Sequence, residues 1–248
     1  MTVDLAPRVS ALRTADELRE IALAGVEELG SGTDHEATAA EALAWVARTF
    51  DTGAVAVASS MANTVLPHLV SQHVPGVDVL FLDTGYHFIE TLATRDVAAE
   101  DLDIRLVNIT PEHTVAEQDA RHGKDLFATD PEACCAMRKV EPLGGALDGY
   151  EVWISGVRRE ESITRRNAPL VTFDHKRGMV KVNPLVTWMR DELYGYAAEH
   201  RVPMNLLLDA GYPSIGCEPC TQPVEEGADP RSGRWAGSTK VECGIHVI

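Results

Sequence analysis

The sequence predicts an α/β fold in which a parallel, twisted sheet is flanked by helices. Four short apolar segments have the length and composition of buried strands: AVAVAS (54–59), DVLFLD (78–83), IRLVNI (104–109) and EVWISG (151–156). Helical patterns follow the first three, and such alternation is typical of βαβ units. The chain has 248 residues, 45% of them hydrophobic, so it can bury a substantial core.

The remaining elements are predicted in chain order. Residues 1–50 are expected to be helical, because Leu43, Val46 and Phe50 recur at helical spacing. Between the strands we expect helices over 61–73, 87–99 and 115–122. A last helix is expected over 187–200, with Thr187 as its N-cap.

Glycine, proline and serine are enriched over 223–241, which predicts a mobile segment. We therefore divide the chain into three parts. A helical segment (1–50) packs on the main domain, an α/β domain (51–222) carries the ligand sites, and a flexible C-terminal tail (223–248) follows.

The net charge of −16 argues against nucleic-acid and membrane-surface partners, because both need clustered cations. No apolar run is long enough to span a membrane, and the first residues lack the apolar stretch of a secretory signal. We expect a cytoplasmic protein, in which cysteines more often act as ligands or reactive thiols than as disulfides. The oligomeric state stays open, a homo-oligomer included.

Two local stretches run against the overall acidity. Residues 155–181 contain seven basic and three acidic side chains, and the tail beyond residue 230 has three basic residues against one acidic residue. Cationic islands in an acidic protein favour a small anionic ligand, although a solvated surface is the plain alternative.

Polar residues follow the predicted strands at the edge where α/β sheets bind ligands. Ser59 and Ser60 end the first strand, and Asp83 and Gly85 belong to the turn after the second. Small hydroxyls and backbone N–H groups before a helix can hold a phosphate, but a simple strand-end turn has the same sequence. The glycine-rich phosphate loop of ATPases is absent from the sequence.

The cysteines fall into three groups. Cys134 and Cys135 are adjacent, and Cys217 and Cys220 form a C-x-x-C between glycine and proline, a common metal-binding turn. Adjacent helical side chains diverge by about 100°, so both reach one centre only if it is wide, which favours an iron–sulfur cluster over zinc. Buried structural cysteines and a redox pair are the alternatives.

Cys243 stands apart, five residues before the last residue of the sequence, with Lys240 and His246 nearby. A thiol beside positive charge on a polar segment is typical of a nucleophile. An accidental surface thiol is the alternative.

Together these segments resemble the assimilatory sulfonucleotide reductases, specifically the iron–sulfur adenosine 5′-phosphosulfate (APS) reductases. The resemblance runs from about residue 50 to 246. It is carried by VASSMANTVL, FLDTGYHFIET, KDLFATDPEACCAMRKVEPL, WISGVRREESITRRNAPLV, KVNPLVTW, GYPSIGCEPCT, GRW and ECGIH.

The resemblance implies an adenine nucleotide α-hydrolase-like fold and thioredoxin-dependent reduction of APS to sulfite and AMP. It implies that Cys134, Cys135, Cys217 and Cys220 hold one [4Fe–4S] cluster, with no flavin or nicotinamide. Cys243 would be the nucleophile that forms an S-sulfocysteine, with thioredoxin as the protein that releases sulfite from it.

Further residues take their expected roles from the same resemblance. Lys139 would stand between cluster and substrate, and it and His246 join Cys243 as catalytic candidates. The expected substrate contacts are Ser59, Ser60, Asp83, Gly85, Arg158, Arg165, Arg231 and Arg234. The tail departs from many members in reading GRWAGSTK, and the serine loop is less acidic than usual.

Three alternatives remain at the level of the sequence. The same reaction on 3′-phospho-APS is the first, although enzymes for that substrate usually lack the four cysteines. A non-catalytic, zinc-stabilised nucleotide-binding or redox-sensing protein is the second, and it assigns no role to Cys243. An ATP pyrophosphatase or adenylyltransferase is the third, and the missing SGG-type loop argues against it.

Overall fold

The structure is a computed structural model that describes Val9 and residues 11–245. Its centre is a six-stranded sheet with the order β3-β2-β1-β4-β6-β5. The strands are β1 (Val55–Ala58), β2 (Val77–Leu82), β3 (Ile104–Ile109), β4 (Val152–Ser155), β5 (Val171–Asp174) and β6 (Met179–Val182).

The sheet is parallel, as the sequence predicts, except at one edge. In β1, Ala56 lies opposite Asp78 of β2 on one side and opposite Trp153 of β4 on the other. β6 runs parallel to β4, and the edge strand β5 runs antiparallel to β6. The predicted parallel α/β fold is confirmed, with an antiparallel hairpin added at one edge.

Nine α-helices surround the sheet in the described part of the chain. They are α1 (Ala15–Glu28), α2 (Ala39–Thr49), α3 (Val65–Ser71), α4 (Ile89–Asp101), α5 (Val115–His122), α6 (Leu126–Thr129), α7 (Pro131–Cys135), α8 (Glu141–Leu147) and α9 (Arg190–His200). A π-helical turn, Ala136–Val140, joins α7 to α8. No helix in the described part of the chain is both long and apolar enough to cross a bilayer.

The predicted start of the last helix is wrong by two residues. Met189, not Thr187, is the N-cap, and its backbone N–H donates to Glu192 at 2.6 Å. The chain before it is held in turns, in which Trp188 N–H donates to the Leu185 carbonyl oxygen at 2.9 Å. The helix begins only after these turns, and Asp191 and Glu192 occupy its first turn.

The N-terminal helices share one core with the sheet. Leu18 of α1 and Leu43 and Val46 of α2 pack in the same buried cluster as the strand residues Phe81 and Ile154. Burying each such side chain contributes roughly 1.5–3 kcal/mol. This core holds the carboxyl ends of β1, β2 and β4 in fixed positions, and those ends carry the site.

Candidate active site

A cleft of about 340 Å³ opens at the carboxyl ends of β1, β2 and β4. Ser59 and Ser60, just after β1, lie on one wall, and Gly156 and Val157, just after β4, lie on another. β1 and β4 are neighbours whose onward connections lead to opposite halves of the sheet. Such a switch point is where open α/β sheets bind ligands, and the volume suits a small molecule.

Most of the predicted site residues meet in this cleft. Its lining includes Ser59, Ser60, Lys139, Arg158, Arg165, Arg231, Arg234 and Cys243. The first and the last of these are 184 positions apart in the printed sequence, so the fold gathers residues from four separate segments. His246 lies outside the described residues.

Asp83 and Gly85 do not line the cleft, but they form the turn that presents Thr84 to it. The Asp83 carboxylate accepts a hydrogen bond from Gly85 N–H at 3.1 Å. Gly85 has φ +73°, and an added Cβ would lie 3.2 Å from Nη2 of Arg138. The turn therefore requires glycine, and Thr84 between the two predicted residues is the one that reaches the cleft.

Sequence reasoning did not select Thr84, His87 or Trp235, which also line the cleft. Thr84 and His87 lie in the motif FLDTGYH, so the motif pointed to the right turn but not to the right side chains. The ring of His87 makes a 2.8 Å hydrogen bond with the Leu82 carbonyl oxygen, and burial lowers its pKa. A neutral imidazole is therefore favoured in this position.

A second, small cavity is lined by four of the five free cysteines, Cys134, Cys135, Cys217 and Cys220. Tyr86 and Phe127 enclose it from the side of β2 and α6. The remaining cysteine, Cys243, lines the cleft instead. The structure thus separates the thiols into the two sets that the sequence predicts.

Local sequence explains how the two pairs are presented. Asp130 caps α7 by accepting from Ala133 N–H at 2.9 Å, and Pro131 occupies the first turn, so the helix ends on the adjacent cysteines. The C-x-x-C forms a 3₁₀ turn in which Cys220 N–H donates to the Cys217 carbonyl oxygen at 3.0 Å. Glu218 N–H donates to the Tyr86 carbonyl oxygen at 2.7 Å, which ties this turn to β2.

Three of the four thiols of this cavity, those of Cys134, Cys135 and Cys220, resist ionisation on their own. Burial and the neighbouring thiols raise the pKa of Cys134 to about 12, and burial likewise raises that of Cys220 to about 11. Burial also opposes ionisation of Cys217, but Lys139 and a hydrogen bond with Thr84 outweigh it and lower its pKa. A positively charged metal centre would supply the charge that turns all four into thiolates.

The donor set fits a polynuclear metal centre. Four thiols surround one cavity, and the side chains of the adjacent Cys134 and Cys135 diverge at the end of α7, so all four reach one centre only if it is wide. A cluster of several metal atoms is wider than one tetrahedral zinc site.

Lys139 and Trp235 form the wall between the two cavities, because both line each of them. Lys139 lies in the π-helical turn that follows the adjacent cysteines. Burial alone would lower its pKa, but Cys217 and Cys243 raise it above the ordinary value of 10.5. The side chain is thus a cation held between the cysteine cavity and the cleft.

Trp235 has a left-handed backbone, with φ +48°, which is uncommon for a bulky residue. Its backbone N–H donates to the Cys220 carbonyl oxygen at 3.0 Å, so the tail is bound to the C-x-x-C turn. The guanidinium of Arg234 lies 4.6 Å from the ring centroid, and Lys240 lies 5.7 Å from it. The ring organises cations on the cleft side of the cysteine cavity.

The four predicted arginines differ in their partners. Arg165 and Arg231 both bind the carboxylate of Glu242, and Arg158 lies 3.1 Å from Glu160. Arg234 instead donates to the Ile215 carbonyl oxygen at 3.2 Å. Among the described residues no carboxylate lies within salt-bridge distance of Arg234 or of Lys139. Arg190, which also lines the cleft, likewise has no carboxylate partner among the described residues and contacts the Tyr194 hydroxyl, so Lys139, Arg190 and Arg234 are the cations left to meet an anion.

Comparison with known proteins agrees with this geometry. The family described as "Phosphoadenosine phosphosulfate reductase domain" matches residues 53–223. The adenosine 5′-phosphosulfate reductase of Rhodococcus erythropolis is 50% identical, with all of both chains covered. The enzyme of the same name from Mycobacterium tuberculosis is 50% identical over 94% of this chain and 96% of the relative.

Solved structures show the same fold. The phosphoadenylyl-sulfate reductase of Candida auris, solved as a phosphate complex, superimposes with a TM-score of 0.67 at 25% identity, over 87% of this chain and 100% of that one. The FMN adenylyltransferase of Candida glabrata reaches 0.52 at 11% identity, over 92% and 82%, which shows a shared fold alone. From the matched family, the full-length relatives and the shared architecture together, it follows that the chain belongs to the phosphoadenosine phosphosulfate reductase family.

Proposed function

We propose that this chain reduces adenosine 5′-phosphosulfate to sulfite and AMP, with thioredoxin as the reductant. The observation that carries the proposal is the position of Cys243. It lines the nucleotide-sized cleft, while the other four cysteines surround a separate cavity behind Lys139 and Trp235. The full-length relatives named adenosine 5′-phosphosulfate reductase support the same substrate.

In the first step the Cys243 thiolate attacks the sulfur of the bound substrate. A bond forms between Sγ and that sulfur, the bond from sulfur to the phosphate oxygen breaks, and AMP leaves. Lys139 and Arg234 face the cleft and offset the negative charge of the sulfate and of the departing phosphate. The enzyme is left as an S-sulfocysteine.

In the second step a thioredoxin thiolate attacks Sγ of Cys243, and sulfite leaves with the electrons of the broken S–S bond. The second thioredoxin thiol then resolves the mixed disulfide and restores Cys243. Both electrons come from the dithiol, so no flavin or nicotinamide is needed. A cytoplasmic location would keep that dithiol reduced.

Cys134, Cys135, Cys217 and Cys220 would hold one [4Fe–4S] cluster. When bound, the cluster supplies a fixed charge distribution beside the cleft and fixes the position of the helix that ends on Cys135. Lys139, between the two cavities, screens substrate from that negative charge. An anaerobic preparation should be brown and contain iron; a colourless protein with one zinc ion would favour the zinc-stabilised alternative.

The decisive experiment traps the intermediate. Anaerobic enzyme incubated with sulfur-labelled substrate and no thioredoxin should carry one labelled sulfonate on Cys243, identified by peptide mass spectrometry. Cys243→Ser should form neither adduct nor sulfite while it still binds AMP. Sulfite production by that variant would refute the proposed chemistry.

The choice between the two nucleotides is tested separately. Comparison of kcat/KM for the substrate with and without a 3′-phosphate should favour the form without it. A preference for the 3′-phosphorylated form would assign the chain to the alternative substrate.

A further inference from the structure

We propose that Glu242 is the positioning residue for the nucleophile: its carboxylate, held by Arg165 and Arg231, sets where Cys243 lies in the cleft. The inference rests on the proposed function, in which Cys243 attacks the substrate. It gives Arg165 and Arg231, which also line the cleft, a contact with the tail in addition to their predicted place at the substrate.

The contacts of Glu242 are numerous for a residue so near the end of a chain. Arg165 donates to both carboxylate oxygens, from Nε and Nη2, each at 2.9 Å. Arg231 donates from Nη2 at 3.2 Å, and the hydroxyl of Thr164 donates at 3.1 Å. Ser162 adds a longer contact at 3.4 Å. Paired hydrogen bonds between a guanidinium and a carboxylate fix orientation as well as distance.

Charge and burial strengthen this cradle. The side chain of Glu242 is 19% exposed, and those of Arg165 and Arg231 are 10% and 14% exposed. Burial and the nearby charge of Arg165 lower the pKa of Arg231, because the two guanidiniums repel each other. The carboxylate between them relieves that repulsion. Burial would raise the pKa of Glu242, but Arg165 and Arg231 outweigh it and lower that pKa.

The cradle acts on Cys243 through the backbone. Consecutive Cα atoms are about 3.8 Å apart, so anchoring one side chain limits the neighbouring thiol to a small region. Arg231 Nη2 also donates to the Val241 carbonyl oxygen at 3.0 Å, which holds the backbone before Glu242. On the other side of Cys243, Arg177 donates to the Ile245 carbonyl oxygen at 3.3 Å.

In this arrangement some cations of the cleft bind carboxylates of the protein, while others are left for the substrate. Arg165 also contacts Glu161 at 2.5 Å, so its charge is already matched by two carboxylates. Lys139 and Arg234 line the cleft without a carboxylate at salt-bridge distance among the described residues, so their charge is left for the substrate. A nucleophile held near its target can react orders of magnitude faster than one that must search for it.

The test compares Glu242→Ala and Glu242→Gln with Glu226→Ala, an exposed carboxylate of the same tail. All are made as cluster-loaded enzyme under anaerobic conditions. Three quantities are measured: the single-turnover rate of sulfonate formation on Cys243 at saturating substrate, the Kd for AMP, and the rate at which N-ethylmaleimide labels Cys243, mapped by peptide mass spectrometry.

We expect adduct formation to fall about 100-fold in Glu242→Ala and about 10-fold in Glu242→Gln, which keeps the shape and one acceptor oxygen but loses the charge and the second acceptor. The Kd for AMP should stay within about twofold, and N-ethylmaleimide should label Cys243 faster in both variants. Glu226→Ala should match the wild type in all three.

Two results would overturn the inference. One is an adduct rate in Glu242→Ala equal to that of Glu226→Ala. The other is a loss of AMP affinity or of cluster content that accounts for the slower reaction, since that would make Glu242 a folding or substrate-binding residue. Failure of the wild type itself to form the adduct would instead refute the proposed function and is recognised before any variant is compared.

Discussion

At the scale of single residues, Lys139 is the side chain that links the two cavities. It borders both the cleft and the cysteine cavity, and its raised pKa keeps it charged despite burial. A buried cation is costly unless negative groups surround it. In the proposed function, the thiolates of a bound cluster on one side and the anionic substrate on the other would provide them.

Replacing Lys139 by alanine should lower kcat/KM by about 100-fold or more, since a cation in a water-poor site contributes several kcal/mol to a developing anion. Iron content and the visible absorption should stay unchanged. The matched control is Lys124→Ala, which removes an exposed lysine outside the cleft lining. Near-normal turnover in Lys139→Ala would contradict the role of this side chain.

At single residues, the sequence predicted that Cys134, Cys135, Cys217 and Cys220 share one metal centre. The structure places the four around one cavity, and their role as ligands stays a prediction. Pairings between distant segments could not be predicted in this way. Arg165 and Glu242 are 77 positions apart, and nothing in either local sequence indicates that they meet.

At the scale of elements, the four apolar strands were predicted to within one residue at each end. β1, β2 and β4 are buried almost throughout, which gives short apolar runs, whereas the edge strand β3 is largely half-buried. β5 and β6 were missed. They contain Asp174 and Lys181, which resemble loop residues in sequence. In the structure Lys181 is buried with its ammonium 4.6 Å from the centroid of the Trp153 ring, and burial lowers its pKa to about 8. The Trp153 ring on the neighbouring strand β4 stabilises the cation of Lys181, although a lysine at this position argues against a strand in the sequence pattern.

Helix α9 contains a glycine that its environment does not require. A Cβ added at Gly195 would meet no atom within 4 Å. Gly195→Ala should therefore stabilise the protein by about 0.5–1 kcal/mol, because alanine restricts the unfolded chain and favours the helix. Thermal unfolding should show Tm raised by about 2 °C.

Gly123→Ala serves as the opposite control. Its surroundings are equally open, but its φ of +87° belongs to the region that only glycine adopts freely. This variant should lose roughly 1–3 kcal/mol. Equal effects of the two substitutions would show that backbone conformation is not what decides them.

At the scale of the whole molecule, the tail returns across the cleft that the sheet forms. Thr221 and Arg234 form an isolated antiparallel bridge, and Gln222 N–H donates to the Gly233 carbonyl oxygen at 2.9 Å. Lys240 contacts Glu132 of α7. These contacts connect the tail to the residues that follow the C-x-x-C turn and to the cysteine-bearing helix α7. The division of the chain at residue 223 remains a proposal.

The proposed mobility of the tail predicts a ligand-dependent protection. Limited trypsin digestion should cut residues 223–248 more slowly with saturating AMP than without it, because the closed tail covers the nucleotide. The control is the cleavage rate within 1–50, which AMP should leave unchanged. Equal cleavage of the tail under both conditions would count against a mobile tail.

The alternation of β1, β2 and β3 with helices was accessible from the sequence because it depends on the burial of apolar residues. The path of the tail was not, because it depends on particular ion pairs and on the left-handed Trp235, whose φ is +48°. Local propensity contains no information about which distant group will satisfy a charge.

The π-helical turn Ala136–Val140 has a consequence for how this region tolerates changes in length. A π-turn accommodates one residue more than an α-helix over the same span, so side chains beyond it are rotated by about 100° from an uninterrupted register. Arg138 accordingly faces inward and donates to the Thr84 carbonyl oxygen, while Lys139 faces the two cavities. A single-codon deletion here would leave every strand intact yet exchange the surroundings of these two cations. Homologues whose length differs at this turn should therefore differ in the chemistry of the site while their fold stays the same.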